Sequence, residues 1–217
     1  MKLFASILGL LMSASLAMAD TSPPTLMQIV GARQEAARLS DSVLVIIDAQ
    51  REYVDGKLPL SGIAESLAVG AKLLARARAA GTPIVHVVHR GGGALFNPQG
   101  VYFEVAAPLA PKVGESVVQK TLPNAFAGTN LQDLLVKTGR KRLIVIGYMT
   151  HNCVSSTVRA ALDLGYQTTV VAAATATRDL PDGHGGTLSA ATVQAASLAA
   201  LSDRVAKIVW NAEDIPD

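Results

Sequence analysis

Six runs of aliphatic residues, separated by stretches with helical spacing, set the frame of this chain. Ser42-Val43-Leu44-Val45-Ile46-Ile47-Asp48 is nearly continuous in aliphatic side chains, the pattern of a strand buried on both faces of a parallel sheet. Further runs predict strands over Pro83–His89, Glu115–Lys120, Lys141–Gly147, Gln167–Ala172 and Arg204–Val209. Between them, apolar residues at 63, 67, 71, 74 and 77 predict a helix over Ile63–Ala80, stopped by Gly81 and Pro83. Similar spacing predicts helices from the Gly128-Thr129-Asn130 cap to Thr138, over Cys153–Leu164 and over Thr187–Leu201, with another over Thr25–Ser40 packed on the outside. Strands alternating with helices imply right-handed crossovers, a mostly parallel sheet and helices on both of its faces, an α/β fold. The segment from Gly91 to Gly114 breaks this rhythm. It is long, holds Pro98, Pro108 and Pro111, and carries Phe96, Tyr102 and Phe103, so it reads as a lid or specificity loop.

In an open sheet of this kind ligands bind beyond the carboxyl ends of the strands, where the strand order reverses. Three chemically capable side chains lie at such ends: Asp48 after the first strand, Lys120 after the third and Cys153 after the fourth. Cys153 is the sole cysteine, placed where Gly147-Tyr148-Met149-Thr150-His151-Asn152-Cys153 turns from strand to helix. A helix start favours a thiolate through its unpaired N–H groups and partial positive charge. Cysteine hydrolysis needs a nucleophile, a base and donors for an oxyanion. Cys153, Asp48 and the amides of Cys153 and its preceding turn can supply these, with Lys120 holding Asp48 and steadying negative charge. The bland readings are a buried hydrophobic cysteine, a capping aspartate and a surface lysine.

Composition narrows the rest. Half of the residues are hydrophobic and only 4 % aromatic, so the core is expected to consist of Ala, Val, Leu and Ile. A formal charge of +2 with no basic stripe argues against nucleic-acid binding. One cysteine excludes an internal disulfide and gives a redox-sensing thiol no resolving partner. Met1-Lys2, an apolar run from Leu3 to Leu16 and Ala17-Met18-Ala19 read as a cleavable export signal, cut after Ala19. Residues 20–217 are then one periplasmic or secreted domain with no stable membrane span. His86 and His89, three apart on a strand, point to opposite faces and cannot share one metal. His151 is placed to touch substrate or cap its turn, and His184, in Asp182-Gly183-His184-Gly185-Gly186, reads as a loop residue. Gly91-Gly92-Gly93 lacks the lysine of a phosphate loop. No cofactor or metal is expected.

The ordered motifs Asp48-x-Gln50 with Tyr53, Lys120, Asn124-Ala125-Phe126-x-x-Thr129-x-Leu131 and Gly147-x-x-Thr150-x-x-Cys153-Val154 resemble the isochorismatase-like cysteine hydrolases over Val43–Val209. The resemblance implies a three-layer α/β/α sandwich whose six strands are ordered 3-2-1-4-5-6. It implies a triad of Asp48, Lys120 and Cys153, a cis peptide between Tyr148 and Met149, and an oxyanion hole from the amides of Met149 and Cys153. Gln50, Tyr53, His89, Phe126, Tyr148 and His151 are the pocket candidates, and dimers or tetramers are implied as assemblies. Isochorismatases that cleave a vinyl ether commonly lack the cysteine, so its presence points to acyl chemistry on a small amide. The metal cluster of nicotinamidases, Asp-x-His after the second strand, is replaced here by His89-Arg90-Gly91-Gly92. A degenerate ligand-binding member and a vinyl-ether hydrolase are the alternatives.

Overall fold

The computed structural model describes residues 22–217, so the export signal expected over 1–19 lies outside the described residues. Six strands form the main sheet: β1 (Ser42–Ile47), β2 (Ile84–His89), β3 (Ser116–Lys120), β4 (Arg142–Tyr148), β5 (Gln167–Ala176) and β8 (Lys207–Val209). They run parallel in the order β3-β2-β1-β4-β5-β8, the arrangement the motifs imply. The two strands β6 (Leu180–Pro181) and β7 (Thr187–Leu188) form a separate antiparallel hairpin that the sequence pattern did not reveal. Its turn is closed by Asp182, whose carboxylate accepts the backbone N–H groups of His184 and Gly186 at 2.8 and 2.9 Å.

The alternation of each strand divides the core into two layers. Leu44, Ile46, Ile144 and Ile146 face α2 (Ile63–Ala79), which buries Leu67, Leu73, Leu74 and Ala77 against them. Val43, Val45, Ile47, Val85, Val87, Val145 and Val170 face α3 (Leu131–Thr138), α4 (Ser155–Asp163) and α5 (Ala190–Ser202). All six residues of β1 are buried, as its unbroken aliphatic run requires. Among the described residues no helix is long and apolar enough to cross a membrane.

Several elements differ from the pattern. The helix expected over Thr25–Ser40 is only α1 (Leu26–Ile29), because Gly31 follows in the left-handed conformation and no residue of α1 is buried to extend it. β5 runs four residues past Ala172, and β8 starts three residues after Arg204. The last helix begins at Ala190 rather than Thr187, capped by the Ser189 hydroxyl on the Thr192 amide.

One partly buried polar cluster lies between α2 and the β2–β3 edge. Arg78 grips Glu115 with two hydrogen bonds of 2.7 and 2.9 Å, and His86 Nε2 lies 2.9 Å from the same carboxylate. Arg78, then the Lys112 amide and His86, hold the Glu115 carboxyl down to about 2, while burial holds His86 below the usual imidazole range. Both groups have lowered folded values, so each contribution is complete above the ordinary value and lost as pH falls toward the folded one. Thermal unfolding midpoints should therefore decline between pH 6.5 and 2, and Glu115→Gln should flatten the part of that decline below pH 4.5. An unaltered acid limb in Glu115→Gln would count against this account.

Candidate active site

The strand register builds the site. Ile47 pairs with Gly147, and His89 pairs with Lys120, so the ends of β1, β2, β3 and β4 meet at one place. Asp48 follows β1 with a φ of 48°, a left-handed conformation that aspartate tolerates and that turns the chain off the strand. The chain of β4 ends in a cis peptide between Tyr148 and Met149, followed by a π-helical turn over Thr150–Val154 and then by α4. The helix carrying the cysteine thus starts differently from the expected Cys153–Leu164. Cys153 lies inside the wide turn, two residues before α4. The amides of Asn152 and Val154 both bond the Met149 carbonyl, at 3.0 and 3.2 Å, and are spent there.

Lys120 is the hub. Its Nζ lies 2.7 Å from Asp48 Oδ2, 3.1 Å from His89 Nδ1 and 3.2 Å from Cys153 Sγ. The lysine and aspartate side chains are wholly buried, and Cys153 is buried with them. Asp48, His89 and Cys153 also form a donor set whose atoms lie within 4.8 Å of one another, chemically suited to a metal such as zinc. A metal does not fit them here, because the Lys120 ammonium already stands among the three donors as their cation.

Burial dominates the proton affinities. It raises the Asp48 carboxyl, against the opposing charge and hydrogen bond of Lys120. It pushes the Cys153 thiol up to about 12, with the Asp48 charge adding and Lys120 opposing. Burial and the Asp48 charge thus work against the thiolate that a helix start, worth at most about 2 kcal/mol, favours. Burial, then the Lys120 charge, brings His89 down to about 4, so its imidazole is neutral and accepts from Lys120 through Nδ1.

The pocket candidates divide. His89 is half-buried beside the lysine, and Tyr53 packs edge-on against Phe96 and Tyr148 with ring centroids 5.0 and 6.0 Å apart. Tyr148 is wholly buried beneath Tyr53 and supports the wall from behind. Gln50 is also wholly buried, with its amide committed to backbone: Oε1 accepts the His89 N–H at 2.7 Å, and Nε2 donates to the carbonyls of His89 and Phe103. It positions the site rather than lining it. Phe126 packs against the core layer that contains Cys153. Its ring stacks on Tyr166 at 6.1 Å in the helical layer, a contact forty residues away in sequence. His151 is half-buried with Nδ1 2.6 Å from the Thr177 hydroxyl, and burial and the Arg178 charge hold its ring below the usual range.

Two participants escaped the sequence reading. Glu52 is buried, and its carboxylate accepts the N–H groups of Lys57 at 2.8 Å and Phe96 at 2.9 Å. This pins Phe96, at a φ of 53°, against His89 and Tyr53. Glu52→Ala should release that loop, with faster hydrogen exchange at the Phe96 and Lys57 amides and a stability loss of about 1–3 kcal/mol for each hydrogen bond to the charged group. Unchanged exchange at Phe96 would refute the clamp. The second is Arg178, two residues beyond the true end of β5, whose charge helps burial hold the His151 ring down. An arginine just past a strand's carboxyl end was the signal, hidden when the strand was taken to stop at Ala172.

The isochorismatase domain family matches residues 42–209 of the chain. The chain belongs to the isochorismatase family. It is 45 % identical over 155 residues to the secreted isochorismatase effector Isc1 of Verticillium dahliae, covering 70 % of this chain and 82 % of that protein. It is 36 % identical over 176 residues to a streptothricin hydrolase of Streptomyces noursei, covering 80 % of this chain and 69 % of the relative. The crystal structure of an isochorismatase from Pseudomonas putida KT2440 superposes with a TM-score of 0.86 at 42 % identity, over 89 % of this chain and all of the other. Family members are hydrolases, amidohydrolases among them. A separate open cavity of about 820 Å³ lies between residues 25–35 and the start of β8. It contains none of the isochorismatase-motif residues.

Proposed function

We propose that this isochorismatase-family hydrolase cleaves a small amide-type carbon–nitrogen bond through Cys153, Asp48 and Lys120. The carrying observation is the buried convergence of thiol, carboxylate and ammonium at three strand ends. In this reading Cys153 Sγ attacks the carbonyl carbon as its proton passes to Asp48, whose raised proton affinity suits it to receive one. The amides of Met149 and Cys153 hold the oxyanion, and Lys120 steadies the charge. Asp48 then protonates the leaving nitrogen, the carbon–nitrogen bond breaks, and ammonia or an amine departs from a thioester. Water, giving a proton to Asp48, attacks the thioester carbon. The acid leaves as sulfur recovers that proton. Each stage keeps the centre's net charge constant, which a sealed site favours.

Ammonia release across a panel of small amides tests the reading, with wild type expected to turn over at least one and Cys153→Ala to lose that turnover. Equal rates in the two proteins would overturn the cysteine mechanism. The second reading, a family member that binds without turnover, draws on the burial of the thiol and its raised proton affinity. It predicts that a neutral electrophile modifies Cys153 no faster than it modifies the denatured chain.

We further propose that residues 20–217 act as one exported domain assembled into dimers or tetramers. An amino terminus at Asp20 on protein recovered from outside the cytoplasm would support export. Mass from light scattering reports the assembly.

A further inference from the structure

The end of the sheet opposite the cysteine centre holds a second recess. Three neighbouring strands start there: Arg142 of β4 is in register with Gln167 of β5, and Thr169 of β5 with Lys207 of β8. The segment that follows α1 is tied to these strand starts twice. Gln34 Nε2 donates to the Arg204 carbonyl at 2.9 Å, and the Ala37 N–H donates to Thr169 Oγ1 at 2.8 Å. Between them lies a cavity of about 420 Å³ whose lining includes Arg33, Arg142, Arg204, Lys207, Glu35 and Thr168. It adjoins the larger open cavity, with which it shares Arg33, Glu35 and Lys207.

The charge of this recess is one-sided. Its lining brings four cations together with a single acid, Glu35. Arg33, Arg204 and Lys207 take part in no ion pair among the described residues, and Arg142 has only Asp41, at a loose 3.7 Å. Asp203, beside Arg204, is turned instead to the Leu26 amide at 2.7 Å. With Glu35 and Asp41 both counted, two positive charges stay unanswered. Thr168 is the independent sign. Its side chain is buried at 5 % exposure on the same cavity, and its hydroxyl has no hydrogen-bond partner among the described residues. A buried hydroxyl left without a partner is costly, and beside unpaired cations it is a donor placed for an anion. A phosphate monoester carries about −1.5 to −2 charges at neutral pH and accepts through three oxygens, which arginine forks match. A single carboxylate would leave part of the positive charge unanswered and offer one oxygen fewer.

We propose that this recess binds a phosphate monoester through Arg33, Arg204, Lys207 and the Thr168 hydroxyl, apart from the cysteine centre. The proposal does not depend on the amide-hydrolase reading.

Calorimetry at near-physiological salt compares glycerol 3-phosphate with glycerol. Wild type should bind the ester at one site per chain and at least about tenfold more tightly than the alcohol. Arg33→Gln with Arg204→Gln, both exposed side chains, should weaken ester binding by about tenfold or more, and Thr168→Val by about three- to tenfold. The exposed pair keeps the test intact even if Thr168→Val fails to fold. Equal affinity for ester and alcohol, or wild-type affinity in the arginine double variant, would overturn the proposal. Glycerol 3-phosphate should slow hydrogen exchange at the amides of residues 33–35 and leave alkylation of Cys153 by iodoacetamide unchanged. Protection of Cys153 would move the anion to the catalytic centre and also overturn it. Phosphatidylcholine vesicles containing phosphatidic acid separate two sources of the group. Capture by these vesicles alone, lost in the double variant, assigns the recess to a lipid headgroup, and binding of the soluble ester alone assigns it to a free metabolite. Either result sustains the phosphate site, and binding of neither removes it.

Discussion

Lys120→Met is expected to cost about 3–5 kcal/mol of stability and at least about 10³-fold in kcat/KM, and a second substitution should restore only the first of these losses. The ammonium is the shared partner of Asp48, His89 and Cys153, and neither it nor the carboxylate touches solvent. Methionine keeps most of the length and removes the charge, leaving Asp48 as a buried carboxylate without a counterion. Burial already raises the proton affinity of Asp48 against the pull of Lys120. Without that pull the carboxyl takes up a proton and can no longer accept one from sulfur. Adding Asp48→Asn removes the stranded group in a residue type that also tolerates a positive φ. The double variant should regain most of the denaturation midpoint and none of the activity. Recovery of turnover in the double variant, or an unaltered midpoint in Lys120→Met alone, would refute this account of the pair.

Gly147→Ala should be the most damaging single change to the fold, at about 4 kcal/mol or more, which corresponds to a fall of about 8–16 °C in thermal midpoint. A Cβ at this position would lie 2.0 Å from the Ile47 carbonyl oxygen and 2.7 Å from the Ile47 nitrogen. The obstructing atoms are backbone of the neighbouring central strand, so no side chain can swing aside. The φ of 113° is itself closed to residues with a Cβ. The effect should spread to the centre, because Gly147 lies one residue before Tyr148 and in register with the residue preceding Asp48. Gly93→Ala, where an added Cβ meets nothing within 4 Å, serves as the control and should change stability by no more than about 0.5 kcal/mol. Comparable midpoints in the two variants would show that the strands can part at this point.

What the sequence disclosed follows from which forces act locally. Val43–Ile47 announces a central strand because both faces are buried, and Asp48, Lys120 and Cys153 stand out because each follows an abrupt end to such a run. The carboxyl end of β5 was illegible. Ala172–Ala176 is made of alanine and threonine, small enough for a crowded sheet but without the β-branched aliphatic signature, and so Arg178 went unnoticed. Leu26, Ile29 and Val30 have helical spacing, yet the surface that would reward a longer helix is missing and all three remain exposed. Phe126 lies close in sequence to Lys120, but its place is decided by the distant Tyr166 ring. The proton affinity of Cys153 is illegible for a related reason. A turn advertises its dipole in the sequence, whereas the depth at which the turn is buried depends on every element around it.

Gln50 ties together two parts of the chain that have different tasks. Its one amide holds the end of β2 at His89 and the far side of the 91–113 loop at Phe103. Between those anchors Phe96 is pinned against His89, while Asn97, Pro98 and Gln99 beyond it are exposed and touch none of the reacting groups. Exchanges at Asn97–Gln99 would leave the hub around Lys120 undisturbed. The fold therefore separates what must stay fixed from what can drift, and new substrate preferences can arise in one place without reinventing the chemistry in the other.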